Sequence, residues 1–592
     1  MEADNYEVIL GGNWLRDQKA TIDYNKSELR IPEKVILPLK ITKDLNYKII
    51  AETDEYEEQQ IIEDQYYYIK QISMDQYMKQ NVFLDEEATT RYENRENWDI
   101  LKAEEHTEKE ETLLTPNQQK QLDDLLEEYK DLFAESTAQL GRTDVEVHTI
   151  PTQDVNPVSL RPYQYNPEIQ EFINKEVEEM LKAGIIEKSR SPWAFPVVIV
   201  PKKNGKKRLC VNYRKLNEVT KTDGFPMPLI EEIFNSLQGA KWFSSIDLAS
   251  GFWQVELAKE DKEKTAFRTS SGHYQFTRMP FGLKNAPASF QRLMNTVLDG
   301  ILNKFVRAYI DDLNVYSKTF EEHIHHLRQV FDRLREAGLK MQRTKCDFIK
   351  KELEFLGHIV STDGLKVDPT KIEKVKEWPK PRNVKEIQQF MGFVGYYRRF
   401  IKNSAVIAKP LYNLCRKDAE FKWTENCQTA FELMKEVLCS AEVMRYPDFK
   451  LPFILTTDAS KIGMGAILEQ EEEGVRKPVA YGSRTLRDEE TRYTTTELEL
   501  GAIKWAVKHF KYYLYKPFTV YTDHKALCGI LKHQDELSSR INRFTTYLQQ
   551  CPITILYKEG RANRAADALS RRIQIHEEKQ IKAQESSQEQ KQ

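Results

Sequence analysis

Two neighbouring carboxylates, Asp311 and Asp312, interrupt the stretch Phe305-Val-Arg-Ala-Tyr-Ile-Asp-Asp-Leu-Asn-Val-Tyr-Ser317. The runs on either side are rich in β-branched and aromatic residues, so each reads as a short strand and the acids fall at a hairpin tip. Asp tolerates the backbone angles of a tight turn, and an isolated Asp-Asp pair is more often just a solvated one. Apolar strands on both sides predict instead a buried hairpin with its acidic tip pushed into something. Adjacent buried carboxylates repel unless a cation neutralises them. Mg²⁺ does so through one or two carboxylates plus substrate phosphates, which points to phosphoryl or nucleotidyl transfer. A third carboxylate should come from elsewhere. Asp247, in Ser244-Ser-Ile-Asp-Leu-Ala-Ser-Gly-Phe-Trp253, ends an apolar strand before a turn of small residues, where a substrate can approach closely. Alone it would more often be a helix cap; beside Asp311 and Asp312 it is the better ligand candidate.

A second acidic set follows. Asp458 ends a strand in Phe453-Ile-Leu-Thr-Thr-Asp-Ala-Ser460, and Asp523 ends another in Phe518-Thr-Val-Tyr-Thr-Asp523. Glu497 and Glu499 lie on a helix, and Asp567 opens the last one, Asn563-Arg-Ala-Ala-Asp-Ala-Leu-Ser-Arg571. Four separate elements thus each supply an acid, with Glu497 or Glu499 from the helix and two from strand ends, which implies a second two-metal site.

The chain has 592 residues and a net charge of −4, enough length for several domains. The balance hides a split: residues 51–110 sum to −12 and residues 181–360 to +10. The first acidic pair thus lies in a basic segment, as a nucleic-acid-binding domain requires. None of the seven cysteines forms a Cys-x-x-Cys pair, which argues for a reducing compartment and against structural zinc. No signal peptide and no membrane-spanning apolar run are expected.

A helix should start after Thr115, where Thr115-Pro116-Asn117-Gln118 supplies an N-cap, a first-position proline and a capping-box Gln. A second amphipathic helix covers about 167–183. Strands at Phe195–Pro201 and Lys207–Asn212 flank Lys202-Lys203-Asn204-Gly205-Lys206, an Asn-Gly hairpin. Its lysines and the following Arg208 are either solubilising charge or a basic finger that holds phosphates. Gln388–Phe400 mixes aromatics and arginines on a predicted helix, either as core with snorkelling arginines or as a surface tracking a duplex. His323, His325 and His326 sit on a charged helix and read as surface.

These motifs carry a resemblance. Ser191-Pro-Trp-Ala-Phe-Pro196, Arg208-Leu-Cys-Val-Asn-Tyr-Arg-Lys-Leu-Asn217, Ile246-Asp-Leu-Ala-Ser-Gly-Phe252, Met279-Pro-Phe-Gly-Leu-Lys-Asn-Ala-Pro287, Tyr309-Ile-Asp-Asp312 and Phe355-Leu-Gly-His358 stand in order. The chain resembles the reverse transcriptase of gypsy-class long-terminal-repeat (LTR) retrotransposons from about Thr115 to Arg571, and the second acidic set resembles a ribonuclease H domain. The resemblance implies an α+β multidomain chain: a right-hand reverse-transcriptase fold of fingers, palm and thumb, then an α/β ribonuclease H-like domain. It implies RNA-directed DNA synthesis and hydrolysis of RNA in RNA–DNA hybrids, with two Mg²⁺ per site and Mn²⁺ as the alternative. By resemblance Asp247, Asp311 and Asp312 hold one metal pair, and Asp458, Glu499, Asp523 and Asp567 the other. Glu499 is preferred to Glu497 because the family motif Glu-Leu-x-Ala fits Glu499-Leu-Gly-Ala502. Lys203 (or Lys202) and Arg208 would clamp the triphosphate, and Phe252 would lie under the deoxyribose. Leu356, Gly357 and His358 would grip the primer end. Phe281 stands where the retroviral pattern has a glutamine that contacts the incoming nucleotide. No histidine lies between His533 and Asp567, where the retroviral pattern has one.

The implied partners are RNA template, DNA primer, RNA–DNA hybrid and deoxynucleoside triphosphates, with no membrane and no oligomeric state assigned. The implied location is intracellular, in a cytoplasmic virus-like particle and the nucleus. The expected divisions are 1–50, a remnant of the C-terminal part of a retropepsin-like protease lacking its Asp-Thr-Gly or Asp-Ser-Gly loop; 51–112, an acidic linker; and 113–183, an extension of the polymerase. Then come 184–362, fingers and palm; 363–447, thumb and connection; 448–571, ribonuclease H-like; and 572–592, a disordered tail. The competing reading is a decayed copy that only binds nucleic acid, and the seven intact carboxylates weigh against it.

Overall fold

The computed structural model describes residues 21–23, 28–31, 35–38, 114–201, 207–416, 419–531 and 538–559. The expected linker, the tail, Lys202, Lys203 and Asp567 lie outside the described residues, as does most of the expected protease remnant. The chain divides into two units, Met1–Lys102 and Ala103–Gln592. In the first, Thr21–Asp23, Glu28–Ile31 and Val35–Pro38 form a three-stranded antiparallel sheet.

The second unit opens on the helix Pro116–Glu128, capped reciprocally by Thr115 and Gln118. Just past its end, Tyr129 donates to Asp332 at 2.5 Å and lies under the Arg335 guanidinium, which ties this segment to the helix Phe320–Glu336. The helix Pro167–Lys182 follows. A five-stranded sheet then runs in the order Ile186–Lys188, Gly272–Phe276, Phe267–Thr269, Phe195–Pro201, Lys207–Val211.

The sheet that matters most for chemistry has four antiparallel strands, in the order Val306–Tyr309, Asp312–Ser317, Trp242–Asp247, Asp347–Lys350. Phe243, Ile246, Leu313 and Val315 are wholly buried in it, the inward positions one expects of strands covered on both faces. Next come a three-stranded antiparallel sheet, 352–367, and the helices Pro369–Lys376, Val384–Tyr396, Ser404–Asn413 and Glu425–Cys439. One continuous apolar core runs from Leu122 to Tyr446, so the expected division at 362/363 is no break in packing. A separate core runs from Phe453 to Ile555.

That second core belongs to a five-stranded sheet in the order Val475–Thr485, Gly463–Glu472, Phe453–Ala459, Phe518–Thr522, Ile553–Tyr557. The first three strands are antiparallel and the last three parallel. The helix Thr495–His509 packs on it. Among the described residues no helix is long and apolar enough to cross a membrane.

The structure corrects the reading of the histidines. His325 is exposed, but His323 is fully buried. Its Nε2 lies 2.7 Å from Ser244 Oγ and its Nδ1 2.8 Å from Ser317 Oγ. His323 thus bonds two strands of this four-stranded sheet, and burial pushes its pKa down to about 3. The helix looked charged because its outer face is; position 323 falls on the inner face.

Candidate active sites

Register builds the first site. Asp247 and Asp312 are direct partners across two antiparallel strands, and such pairs carry their side chains on one face about 4.5–5.5 Å apart at Cβ. Tyr309 pairs with Asp312 on the other side, which leaves Ile310 and Asp311 as a two-residue turn. Ile310 has φ +57°, a left-handed conformation costing a β-branched residue roughly 1–2 kcal/mol. Gln291, from the helix Ala286–Val297, holds it there. Its Oε1 accepts from the Ile310 N–H at 2.8 Å and its Nε2 donates to Ala308 O and Asn295 Oδ1. Gly251 is required beside the turn: a Cβ there would lie 2.9 Å from Phe290 Cζ and 3.4 Å from Asp311 Cβ.

Burial lifts the Asp247 carboxyl to about 6, with Asp311 and Asp312 adding to the rise and Lys345 opposing it. Lys345 Nζ stands 3.2 Å from both Asp247 oxygens. A partly desolvated acid between two others, already drawing in a lysine, is a donor set that fits a divalent cation. Among the described residues, no three His, Cys, Asp or Glu side chains already converge on one point.

Beside these acids lies an aromatic and cationic row. Phe252 packs on Phe281, with ring centroids 5.3 Å apart, and on Phe290 at 5.5 Å. The exposed Arg208 places its guanidinium 5.5 Å from the Phe281 ring centre. Arg208, Phe281 and Phe252 are therefore brought together.

Leu356 and Gly357 form the two-residue turn between Glu352–Phe355 and His358–Ser361. Here the structure corrects the expected primer contact of His358. The imidazole is only 2 % exposed, enclosed by Phe234, Tyr396, Tyr397 and Phe400. Its Nδ1 lies 3.0 Å from Leu356 O, so it holds the turn from behind and cannot touch a nucleic acid. The Leu356 side chain is buried as well, which leaves the turn's backbone as its open surface.

In the second site, Asp458 and Asp523 are exposed at the ends of adjacent parallel strands. The register Ile454↔Thr519, Leu455↔Val520, Thr456↔Tyr521, continued by two residues, sets them side by side. Glu497 serves another purpose: it is the capping-box residue of its helix, bonded to Thr494 and paired with Arg540. Glu499, two residues further along the helix, is buried, and its Oε1 accepts from the Ala459 N–H at 3.3 Å. Its Oε2 is buried without a hydrogen-bond partner. Burial first, then Asp523 and Asp458, push its carboxyl up to about 8. A buried orphan carboxylate oxygen facing two acids is the arrangement a divalent cation would complete. On the same sheet, Asn403 reaches in from outside. A Cβ on Gly465, the cross-strand partner of Asp458, would collide with Asn403 Oδ1.

Sequence reasoning passed over Gln291, Lys345, Asn403 and the tyrosine pair 396–397. Only Gln291 left a signal, as an amide set among the apolar residues of its helix. The Gln388–Phe400 stretch bears out the aromatic-core part of its first reading and corrects the other part: Arg399 does not snorkel but is buried and donates to Val479 O at 3.2 Å.

Residues 200–360 match the family described as reverse transcriptase (RNA-dependent DNA polymerase), and residues 423–520 the RNase H-like domain found in reverse transcriptase. Residues 97–171 match the spumavirus aspartic protease (A9) family. Those of them that are described carry the capped helix and the tyrosine contact to Phe320–Glu336 given above. The chain is 35% identical over 584 residues to the retrovirus-related Pol polyprotein from transposon 297 of Drosophila melanogaster, covering 97% of this chain and 51% of that one. It is 38% identical over 472 residues to the corresponding polyprotein from transposon gypsy of the same species, covering 76% and 45%. The chain thus spans about half the length of these relatives. Among solved structures, the foamy viral protease-reverse transcriptase in complex with dsDNA superposes with a TM-score of 0.67 at 28% identity, covering 76% of this chain and 95% of that one. The same viral enzyme in complex with an RNA/DNA hybrid gives a TM-score of 0.63, also at 28% identity, over 76% and 61%.

Proposed function

We propose, taking the chain as a fragment of an LTR-retrotransposon Pol polyprotein, that it is an RNA-directed DNA polymerase that also hydrolyses the RNA of RNA–DNA hybrids. The observation that carries this reading is the cross-strand pairing of Asp247 with Asp312 beside the strained Ile310–Asp311 turn.

Reverse transcriptase and RNase H-like domains depend in general on divalent metal. Mg²⁺ would be held by Asp247, Asp311 and Asp312 in one site and by Asp458, Glu499, Asp523 and Asp567 in the other, with Mn²⁺ as a substitute. When bound, it supplies charge neutralisation at the transferring phosphate and acidifies the attacking hydroxyl or water. The chain's own residues do the rest. Gln291 keeps Asp311 at the turn tip, and Lys345 adds positive charge at Asp247. Arg208, with Lys203 (or Lys202), binds the triphosphate of an incoming deoxynucleotide. Phe252 and Phe281 shape the sugar side, where a ring excludes a 2′-hydroxyl by volume, since an absent group offers nothing to bond. The basic segment from 181 to 360 receives the RNA template and DNA primer. Such an enzyme works inside the cell, in a cytoplasmic virus-like particle and, after copying, in the nucleus.

Primer extension on an RNA template with Mg²⁺, together with release of labelled RNA from a hybrid, tests the reading. Purified protein that performs neither reaction would sink it.

A further inference from the structure

The turn Leu356–Gly357 is unusual in its backbone. Both residues have positive φ, +48° and +70°. A two-residue hairpin loop of this kind favours Asn-Gly, and leucine there is strained. The helix Val384–Tyr396 ends directly behind it. The Tyr396 hydroxyl donates to Leu356 O at 2.6 Å, and the Tyr397 hydroxyl donates to Gly357 O at 2.8 Å. Leu356 O also lies 3.0 Å from His358 Nδ1. A carbonyl can only accept, so Nδ1 carries the proton. A Cβ on Gly357 would lie 3.5 Å from the Tyr397 hydroxyl and 3.7 Å from Tyr396 Cε1, so the turn rests flat on both phenols. The far end of the same segment is fixed too, since Arg399 donates to Val479 O in the second sheet.

With both carbonyls engaged from behind, the amides of Leu356 and Gly357 make no hydrogen bond to any described residue. Two consecutive free N–H groups on a left-handed turn suit a phosphate oxygen.

We propose that Tyr396 and Tyr397 are positioning residues for DNA synthesis: their hydroxyls lock the Leu356–Gly357 turn so that its two amides receive a backbone phosphate of the primer strand near its 3′ end. This rests on the polymerase reading above. Neither tyrosine touches the nucleic acid, and each acts through the turn.

The test is Tyr396→Phe/Tyr397→Phe, which removes two oxygen atoms and keeps both rings. Fluorescence anisotropy measures the Kd of a labelled duplex with a recessed 3′ end, and primer extension measures KM for the same duplex. The double variant should raise both about tenfold. Its turnover at saturating primer, its KM for deoxynucleotide and its cleavage of hybrid RNA should stay within about twofold of the parent. An unchanged Kd in the folded double variant overturns the proposal, as does an equal loss in both activities, which would mark the tyrosines as merely structural. A parent protein that binds the duplex more tightly than the variant but extends no primer would overturn the polymerase reading and leave the clamp standing.

Discussion

The two carboxylate sites solve one electrostatic problem in different ways. In the first, Asp247 is raised to about 6, with Lys345 opposing the pull of burial and of its acidic neighbours. In the second, Glu499 is raised to about 8 by burial and two acids, offset only by the Ala459 N–H. The first site can take a cation near neutral pH without shedding much of a proton. The second must release one, because a bound metal requires the carboxylate. Where a lysine stands beside a cluster of acids thus decides how metal affinity depends on pH.

A large effect on metal affinity follows from that difference. As pH falls from 8 to 6, the half-saturating Mg²⁺ for RNA cleavage should rise on the order of tenfold per unit, because a proton competes at Glu499. Primer extension should hardly change its Mg²⁺ requirement until pH drops below 6. Parallel Mg²⁺ titrations at four pH values measure both, and matching slopes would erase the contrast.

A smaller effect tests the neighbour of the second site. Gly465→Ala pushes Asn403 away from the strand position directly opposite Asp458. Hybrid cleavage should fall roughly tenfold while primer extension is unaffected, in line with the independence of distant sites. On the first site, Phe252→Val should raise ribonucleotide relative to deoxynucleotide insertion about tenfold. Single-nucleotide extension with both sugars reads this out, and an unaltered ratio in active protein removes Phe252 from the sugar contact.

The smallest effect concerns stability. The folded pKa of Glu499 lies above its unfolded value of 4.5, so between those values the native state holds the extra proton. Metal-free protein therefore loses stability as pH rises through that window. Glu499→Gln should raise the melting temperature at pH 8 by roughly a few degrees and change nothing at pH 4. Equal gains at both pH values would show that the residue is not titrating.

Much of this was legible in the chain because hairpins and caps are local. The hairpin that carries Asp311 and Asp312, the Thr115 capping box and the strand-end positions of Asp247 and Asp458 follow from neighbours in sequence, although the turn itself is Ile310–Asp311 and Asp312 is already in the strand. What stayed hidden depends on residues far apart. Gln291 meets Ile310, Lys345 meets Asp247 and Tyr397 meets Gly357 only once the sheets and helices have assembled. His323 misled for a related reason: three histidines among charges read as one surface, although a step along the helix turns a side chain by about 100°. The motif Phe355-Leu-Gly-His358 marks the turn at Leu356–Gly357, but it could not reveal that His358 faces the aromatic core behind it.

The claim that two separate sites do separate chemistry is tested most directly by assaying Asp311→Asn and Asp458→Asn for both activities on the same preparations. Asp311→Asn should lose primer extension by on the order of 10²–10³-fold or more and keep RNA cleavage within about twofold, with the mirror image for Asp458→Asn. Loss of both activities from either single substitution, in protein that still folds, would contradict the account.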